Sequence, residues 1–354
     1  VFGGRKMFQK NDFPRNPDGP KFRYFFSELY LFGRGYRYFV WFRKLTFKPL
    51  INKIKKLIKE EGIEYIIGVY PNPFYCLAAS IAAKEMGIPF SSYFHNTYTE
   101  NKAITDPKAE SIQKQIFESS ENIFVMSNGM KSFYQEKYKG FKFVSLVHTF
   151  NKFPKETSLK GIPGEGKKQY NIVAIGNFNE SNMDATLRLA TAISKNPKYT
   201  LSLFTHVPKI LLKKRGLDLE SFEYEGFVSP DEVHQVLQQY DICVLTHGFT
   251  GGYGEIEYKT IFPTRTIPLL LSGKPILVHS PDGSFLNDFI KENHCAELVD
   301  APSTEAIIEG LERIANDVEY QRELVKSARI AANQFYGPNV VNNLKSSLKP
   351  AEIQ

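Results

Sequence analysis

Cysteine and long apolar runs are both scarce in this sequence. The three cysteines, Cys76, Cys243 and Cys295, lie far apart, with no CxxC pair and none of the density of a disulfide-bonded domain. We therefore expect a reducing, cytoplasmic compartment. No run of about 18 apolar residues is present, so we expect no transmembrane helix. Because the chain begins with Val and no signal pattern follows, we also expect it to be trimmed at its start.

Catalytic motifs of high specificity are missing as well. The sequence has no GxxxxGK[ST], no GxGxxG opening a helix, no HExxH and no DxD, which argues against P-loop NTPases and zinc peptidases. Its seven histidines never approach the spacing of zinc ligands. Asp218-Leu219-Glu220 is only loosely similar to DxD, and is either a metal site or a solvated turn. We expect no metal and no cofactor.

Positive charge is concentrated at the N-terminus. Residues 1–60 hold 15 Lys/Arg and 4 Asp/Glu, although the whole chain has a net charge of only +7. Aromatic rings interleave with Arg and Lys through residues 21–44. Residues 21–60 therefore form a patch for an anionic membrane surface, a surface that stacks nucleic-acid bases, or rings packed beneath solvated charges. No recognised nucleic-acid module accompanies this block, so nucleic acid is not expected.

The hydrophobic pattern predicts the domain organisation. A length of 354 residues suits two domains, and strand periods alternate with helix periods along the chain. We predict a first domain over 1–150, a Pro/Gly-rich linker over 151–169, a second domain over 170–335, and a tail over 336–354 that crosses back to the first domain. Alternating strands and helices predict α/β domains with doubly wound parallel sheets. Ligands of such sheets bind beyond the carboxyl ends of the strands, so functional residues are expected there.

Four stretches carry a resemblance to a known family. They are YPNPFYCLAASIAAKEMGIPFSSYFHN (70–96), NIFVMSNGMKSFY (122–134), YEGFVSPDEVHQVLQQYDICVLT (224–246) and FPTRTIPLLLSGKPILVHSPDGS (262–284). In this order they resemble the GT-B glycosyltransferases, whose two Rossmann-like domains face a central cleft, and they are most similar to glycosyltransferase family 4. The resemblance covers roughly residues 47–335.

The resemblance implies a division of labour between the domains. The first domain would bind the acceptor and the second the nucleotide-sugar, with no required metal and with retention at the transferred sugar. The family's opening strand and Gly-rich turn are not matched, because only Gly3-Gly4 stands in their place. The first domain is therefore expected to be incomplete at its N-terminus.

Residues that follow the strands of the first domain take their roles from this resemblance. His95, directly after the predicted strand 88–94, matches the histidine that faces the transferred sugar, and we predict that it is catalytic. The alternative is a surface histidine at a strand end. Tyr70, Asn72 and Asn96 are predicted to lie on the acceptor side.

In the second domain, Gly176-Asn177 matches the glycine turn that holds the diphosphate of the sugar donor. Asn177 and Asn182 stand where the family often has Arg and Lys, so two expected positive charges are missing. His206, after the predicted strand 199–205, is a further candidate for binding the sugar donor.

Two later turns complete the predicted nucleotide side. Gly226-Phe227 matches the turn beside the nucleotide base, and is alternatively a purely structural turn. His247, Gly248 and the glycine-rich stretch 251–255 are predicted to approach the sugar and phosphates through backbone N–H groups, or to form a mobile loop.

The stretch FPTRTIPLLLSGKP predicts a phosphate-binding helix start. Pro263 suits the first helical position, so the N–H groups of Thr264, Arg265 and Thr266 would point at the diphosphate. Arg265 falls where related sequences carry Lys or Arg, and we predict that it is catalytic by offsetting the charge on the leaving group. An ordinary helix start is the alternative.

The same stretch departs from the family at its acidic residues. Thr260 and Pro268 occupy the two positions of the family's E-x7-E pattern, of which the second normally bonds the ribose hydroxyls. Glu255 and Glu257, on the loop predicted to precede the helix, are candidates to replace one of them.

These patterns together predict a glycosyltransferase that uses a nucleotide-sugar and acts on a polysaccharide or lipid-linked glycan at the cytoplasmic face of the membrane. Two alternatives remain. The altered acidic and basic positions also suit a non-catalytic GT-B protein that binds a sugar or a partner in a glycan assembly complex. A sugar-nucleotide epimerase of the same fold is the third hypothesis.

Overall fold

The computed structural model describes residues 2–5, 23–26, 40–154, 167–250 and 253–348, with side chains from residue 45 onward. Residues 21–22 and 27–39 of the basic and aromatic N-terminal block, and residues 155–166 of the predicted linker, therefore lie outside the described residues.

Strands and helices alternate along the described chain, as the hydrophobic periods predict. The strands are β1 Phe2–Arg5, β2 Arg23–Phe26, β3 Ile66–Tyr70, β4 Phe90–Phe94, β5 Ile123–Val125, β6 Phe143–Ser145, β7 Tyr170–Ile175, β8 Tyr199–Phe204, β9 Glu223–Gly226, β10 Ile242–Thr246, β11 Ile276–His279 and β12 Glu297–Val299. The helices are α1 Val40–Glu61, α2 Pro73–Met86, α3 Ala109–Glu118, α4 Asn128–Lys137, α5 Met183–Ser194, α6 Lys209–Lys214, α7 Val233–Leu237, α8 Glu255–Thr260, α9 Thr266–Leu270, α10 Phe285–Asn293, α11 Thr304–Asn316, α12 Val318–Ala332 and α13 Gly337–Leu348.

The chain divides into two compact units. The first comprises Val1–Tyr98, Asp106–Phe124 and Tyr138–Val144, and the second comprises Thr99–Thr105, Val125–Lys137 and Ser145–Gln354. Each unit contains a β-sheet whose strands alternate with helices along the chain. Three short segments that the sequence places in the first domain, 99–105, 125–137 and 145–150, thus group with the second unit, and so does helix α13 of the predicted tail.

The first unit holds a four-stranded sheet in the order β3-β4-β5-β6. Helix α1 packs on α2 through apolar side chains at helical spacing, Leu50, Ile54 and Ile58 against Ala78 and Ala82. The chain also has a short strand near its start, β1, which pairs in parallel with β2. Among the described residues these two strands form a separate sheet.

The second unit holds a six-stranded parallel sheet in the order β12-β11-β10-β7-β8-β9. The central strands are buried over nearly their whole length, as expected for a parallel sheet covered on both faces. Their side chains form one core with apolar residues of α5 and α11, including Leu189, Ile193, Ile307 and Leu311.

Some element boundaries differ from those that the sequence predicts. The sequence SPDEVHQVLQQYD predicts a helix over 229–241, with Ser229 at its N-cap, but the structure forms only α7 there. Before α7, the hydroxyl of Ser229 donates to the carboxylate of Glu232 within a turn. Strands β9 and β12 and helices α3, α6 and α8 were not predicted, since they are short or lack a clear period. No helix among the described residues is long and apolar enough to cross a membrane.

Ser127, a residue type that the sequence favours as a helix N-cap, caps α4 and also joins it to α8. Its hydroxyl oxygen accepts the N–H of Met130 at 3.0 Å and donates to the backbone carbonyl of Thr260 at 2.5 Å. The residue is fully buried, so both bonds are shielded from water. One hydroxyl therefore positions the two helices on each other.

Ser127→Ala is expected to lower the free energy of unfolding by about 1–3 kcal/mol, because a helix cap and a buried carbonyl lose their partner together. Urea denaturation measures the change. Ser194→Ala, at an exposed helix end, is the matched control and should stay within about 0.5 kcal/mol of the unsubstituted protein. Equal losses in the two variants would show that the buried bonds contribute nothing specific.

Candidate functional site

The carboxyl ends of β7 and β10 mark a change of direction in the second sheet. The chain first extends the sheet from β7 through β8 to β9, and then returns to the other side of β7 with β10. At such a switch point the connections leave on opposite faces of the sheet, and a crevice opens at the strand ends. Gly176 follows β7 and His247 follows β10, so both residues stand at this crevice.

A pocket of about 580 Å³ lies at this edge of the sheet. Six residues that the sequence predicts for the sugar donor line it: Gly176, Asn177, His206, Phe227, Thr264 and Arg265. Much of the remaining wall is apolar and includes Val228, Val233, Ile267, Pro268 and Leu271. An apolar wall beside a polar, positively charged end suits a ligand that has a flat organic part and an anionic part.

Arg265 supplies positive charge to this pocket. Its Nη2 donates to the backbone carbonyl of Thr246, the last residue of β10, at 2.6 Å. In the part of the chain that the structure describes, Arg265 makes no ion pair. Burial lowers the pKa of the guanidinium to about 10, which leaves it charged at neutral pH. A half-buried cation without a carboxylate partner favours the binding of an anion.

Gly176 makes room for this cation. Its φ of 130° disfavours any side chain, and a Cβ at this position would lie 2.9 Å from Cδ of Arg265. The N–H of Gly176 donates to the carbonyl of Phe204 at 3.0 Å. Gly176 therefore contributes space for the guanidinium rather than a hydrogen bond to a phosphate.

The turn after β9 brings an aromatic ring to the pocket. Gly226 has a φ of 75°, and its carbonyl accepts the N–H of Thr205 at 2.6 Å. Phe227 then leaves the sheet with 69% of its surface exposed and lines the pocket. An exposed ring at this position offers a stacking surface to a planar group.

The loop after β10 differs from the predicted phosphate loop. The N–H of His247 donates to the carbonyl of His279 at 2.8 Å, and the N–H of Gly248 donates to the carbonyl of Ser181 at 2.9 Å. A Cβ on Gly248 would lie only 2.5 Å from that carbonyl oxygen, so this approach requires glycine. Neither N–H group is available to a phosphate, and the predicted role of these backbone groups is corrected accordingly.

Asp184 holds the next part of the same loop. Its Oδ2 accepts the N–H groups of Phe249 and Thr250 at 3.0 and 3.2 Å, and also Nη2 of Arg188 at 3.1 Å. The carboxylate therefore satisfies loop donors that would otherwise face the crevice. No simple sequence motif marks this contact, because it joins α5 to a loop more than 60 residues away.

His247 is a buried, neutral imidazole beside the pocket. Its Nδ1 lies 3.1 Å from the hydroxyl of Ser280, and its Nε2 has no hydrogen-bond partner among the described residues. Burial lowers its pKa to about 3, and the nearby charge of Arg265 acts in the same direction. His247 therefore carries no charge near neutral pH.

The helix predicted to begin at Pro263 begins three residues later. α9 starts at Thr266, whose N–H donates to the carbonyl of Pro263 at 2.9 Å, and the N–H of Ile267 donates to Thr264 at 3.2 Å. Pro263 thus belongs to a turn, Thr266 is buried, and Thr264 reaches the pocket. Pro268 is the third residue of α9, where an N–H has no intrahelical partner, so it costs no helix hydrogen bond.

The two predicted substitute acids do not line the pocket. Glu255 and Glu257 lie in the first turn of α8 rather than on a loop. Glu255 is exposed and pairs with Lys259 at 2.5 Å, which lowers the pKa of its carboxyl group, whereas Glu257 is buried.

In sequence, the chain matches no family model and no curated protein. Solved structures do match. A glycosyltransferase from Rickettsia africae ESF-5 superimposes with a TM-score of 0.63 at 14% identity, covering 86% of this chain and 81% of that one. The chain has the GT-B fold.

Two further structures with this fold are similar over most of their length. Sucrose-phosphate synthase from Thermosynechococcus elongatus gives a TM-score of 0.60 at 15% identity, covering 86% of this chain and 78% of that chain. Anabaena HepE, solved in complex with UDP and glucose, gives 0.61 at 11% identity, with 84% and 79% covered. Identities this low support the fold alone.

The predicted residues of the first GT-B unit have different environments. His95 follows β4 and is half-buried, with its ring centroid 4.2 Å from that of Tyr93. Asn96 is exposed beside it. Tyr70 is a core residue, 4% exposed, and Asn72 caps α2 by accepting the N–H of Tyr75. His95 and Asn96 thus follow the carboxyl end of β4, whereas Tyr70 lies in the core and Asn72 caps a helix.

Three polar residues of the GT-B pocket were missed by the sequence reasoning. Lys152, His148 and His234 all line it. Lys152 lies in a segment whose Pro and Gly content marks a linker, and His234 lies on a helix with no motif. Burial lowers the pKa of both histidines, and Nδ1 of His234 has no hydrogen-bond partner among the described residues.

Metal binding is not tested by this structure. Within the described ranges no three His, Cys, Asp or Glu side chains form a group that could hold an ion. The expectation that no metal or cofactor is needed stays a prediction.

The buried state of His247 predicts a pH dependence of folding. In the unfolded chain a histidine takes up a proton near its ordinary pKa of about 6.5, whereas folded His247 does so only at about 3. The free energy of unfolding should therefore fall as the pH drops below about 6.5, by up to about 1.4 kcal/mol per pH unit from this residue.

His247→Gln should lose this contribution, so its stability should fall less steeply between pH 6.5 and 5 than that of the unsubstituted protein. His279, whose pKa burial lowers to about 4, contributes with the same sign in both proteins and cancels in the comparison. Urea denaturation across this range measures the slopes. Identical slopes would contradict a neutral, buried His247.

Proposed function

We propose that this protein is a glycosyltransferase that moves a sugar from a nucleotide-sugar to a polysaccharide or lipid-linked glycan acceptor, with retention at the anomeric carbon. The observation that carries the proposal is Arg265, a half-buried cation without an ion pair at the switch point of the second sheet. Membership of glycosyltransferase family 4 is part of the proposal.

The diphosphate of the sugar donor would bind at the charged end of the pocket. Arg265 and Lys152 are the positively charged residues that line the described pocket, and Asn177 and Thr264 supply neutral hydrogen-bonding groups. The Arg and Lys that the family resemblance leads one to expect at Asn177 and Asn182 are absent, so Lys152 replaces part of that charge. Two cations beside a diphosphate support a reaction that needs no metal.

The nucleoside would bind along the apolar wall, with its base against Phe227. This ring is exposed, and Val228 and Val233 continue the apolar surface beside it. The HepE structure was solved with UDP and glucose, which supports a nucleoside diphosphate as the ligand of this fold. Which base the pocket prefers is a matter for binding experiments.

Catalysis would depend on the charge that grows on the leaving group. The bond between the anomeric carbon and a diphosphate oxygen breaks, the acceptor hydroxyl oxygen forms the new bond on the same face of the sugar, and the hydroxyl proton passes to the departing diphosphate. Arg265 is already fixed by Thr246 and needs no reorganisation to meet the developing negative charge. His95 is proposed to orient the sugar, with Asn96 beside the acceptor.

The acceptor would be met at a membrane surface. Residues 21–60 combine rings with an excess of Lys and Arg, a composition suited to anionic headgroups. The lipid-linked or polysaccharide acceptor and the cytoplasmic face of the membrane are therefore parts of the proposal.

Arg265→Ala is expected to lower sugar transfer by about 10²-fold, the loss typical of removing one preorganised charge-stabilising group. Arg265→Lys should give an intermediate rate, because it keeps the charge but loses the planar fork. Release of nucleoside diphosphate from UDP-, GDP- and ADP-sugars in the presence of bacterial glycans gives the rate.

Arg322→Ala, an exposed arginine on α12 paired with Glu319, is the matched control and should keep the full rate. An Arg265→Ala variant with unchanged activity would refute the assigned role. If calorimetry shows nucleotide-sugar binding that Arg265→Ala weakens, yet no acceptor is ever glycosylated, the non-catalytic alternative is favoured instead.

A further inference from the structure

Helix α6 exposes apolar and basic side chains together. It spans Lys209–Lys214 in the sequence KILLKK, and Arg215 follows directly. Ile210 is 59% exposed and Leu211 is 41% exposed, although large aliphatic side chains are usually buried. Lys213 and Lys214 are exposed beside them. Aliphatic groups and positive charges thus occupy one short surface.

Helix α6 is anchored to the second unit by residues on its buried side. Leu212 and Leu217 are buried in the core of that unit. Nη1 of Arg215 donates to the carbonyl of Phe178 at 2.5 Å. These residues fix the backbone of α6. Ile210 and Leu211 are therefore exposed on a helix that is anchored to the core, and not on a loose segment.

Phe227 projects from the same edge of the sheet. α6 follows β8, and Phe227 follows the neighbouring edge strand β9, so both leave the carboxyl ends of adjacent parallel strands. Tyr224 joins them: its hydroxyl donates to the carbonyl of Val207 at 3.1 Å, and Nζ of Lys209 lies 5.2 Å from the centre of its ring. Helix α6 and the turn that carries Phe227 therefore leave the same edge of the sheet.

The chemistry of this surface selects its partner. Separate apolar side chains that project among lysines match a lipid interface, where the chains enter the acyl boundary and the ammonium groups remain with the phosphates. A protein partner would more often be met by a groove or a broad apolar patch. Each lysine near an anionic bilayer strengthens binding about fivefold.

We propose that α6 forms a docking surface for an anionic lipid membrane, which we name the α6 surface. It lies in the second unit and is separate from the N-terminal block, residues 21–60. His206 and Phe227 line the pocket as well, so docking here brings the rim of the pocket to the bilayer. The proposal does not depend on sugar transfer.

The test is flotation of the full chain with vesicles of phosphatidylcholine alone or with phosphatidylserine. The unsubstituted protein should bind the anionic vesicles and should be released by high salt. The double variant Ile210→Glu/Leu211→Glu should bind at least tenfold more weakly, because two carboxylates replace the inserting groups. Ile330→Glu is the matched control: Ile330 is 62% exposed on α12, and its variant should bind as the unsubstituted protein does.

A second variant protects the test against misfolding of the first. Lys213→Ala/Lys214→Ala leaves the apolar residues in place and should weaken binding to anionic vesicles by more than tenfold. Circular dichroism checks that each variant is folded. Failure of the unsubstituted protein to float, or equal flotation of the lysine variant, would overturn the proposal; in the second case the bound surface lies elsewhere, as in residues 21–60. Loss of transfer activity with intact flotation would instead count against the proposed function alone.

Discussion

The hydrogen bond from Arg265 to the carbonyl of Thr246 organises the centre of the second unit. It fixes a guanidinium at the end of β10, directly over the turn that follows β7. These two strands are neighbours in the sheet but are separated in sequence by two intervening strands, so the cation stands at the switch point. This contact requires glycine at position 176, since a side chain there would displace the guanidinium.

The polar groups around this cation are mostly committed to one another. Asp184 receives backbone N–H groups of the loop after β10, and Ser181 receives that of Gly248. His247 is held neutral by burial. Arg265 and Lys152 remain as the positive charges that line the pocket within the described residues.

The sequence predicts the fold better than the site, for physical reasons. Alternating strand and helix periods arise because apolar residues are buried on a parallel sheet. The pattern does not depend on individual residues, so the two α/β units were predictable. The start of α9 was not, because the preference of proline for the first helical position also suits the turn in which Pro263 is found.

Close approaches and pocket walls are still harder to predict, since they depend on residues far apart in the chain. Position 248 requires glycine because the carbonyl of Ser181 lies against it, and no local sequence pattern predicts this contact. Lys152 and His234 enter one pocket only through the tertiary fold. Arg265 was selected because a resemblance to a family supplied its position; the structure places it in the pocket, and its catalytic role stays a prediction.

The central claim is that Arg265 binds the diphosphate of a nucleotide-sugar in this pocket. A crystal structure of the chain with bound nucleotide-sugar tests it most directly. The account predicts diphosphate oxygens at about 3 Å from the guanidinium of Arg265, with the base beside Phe227. A nucleotide bound elsewhere, or one whose phosphates avoid Arg265, would contradict it.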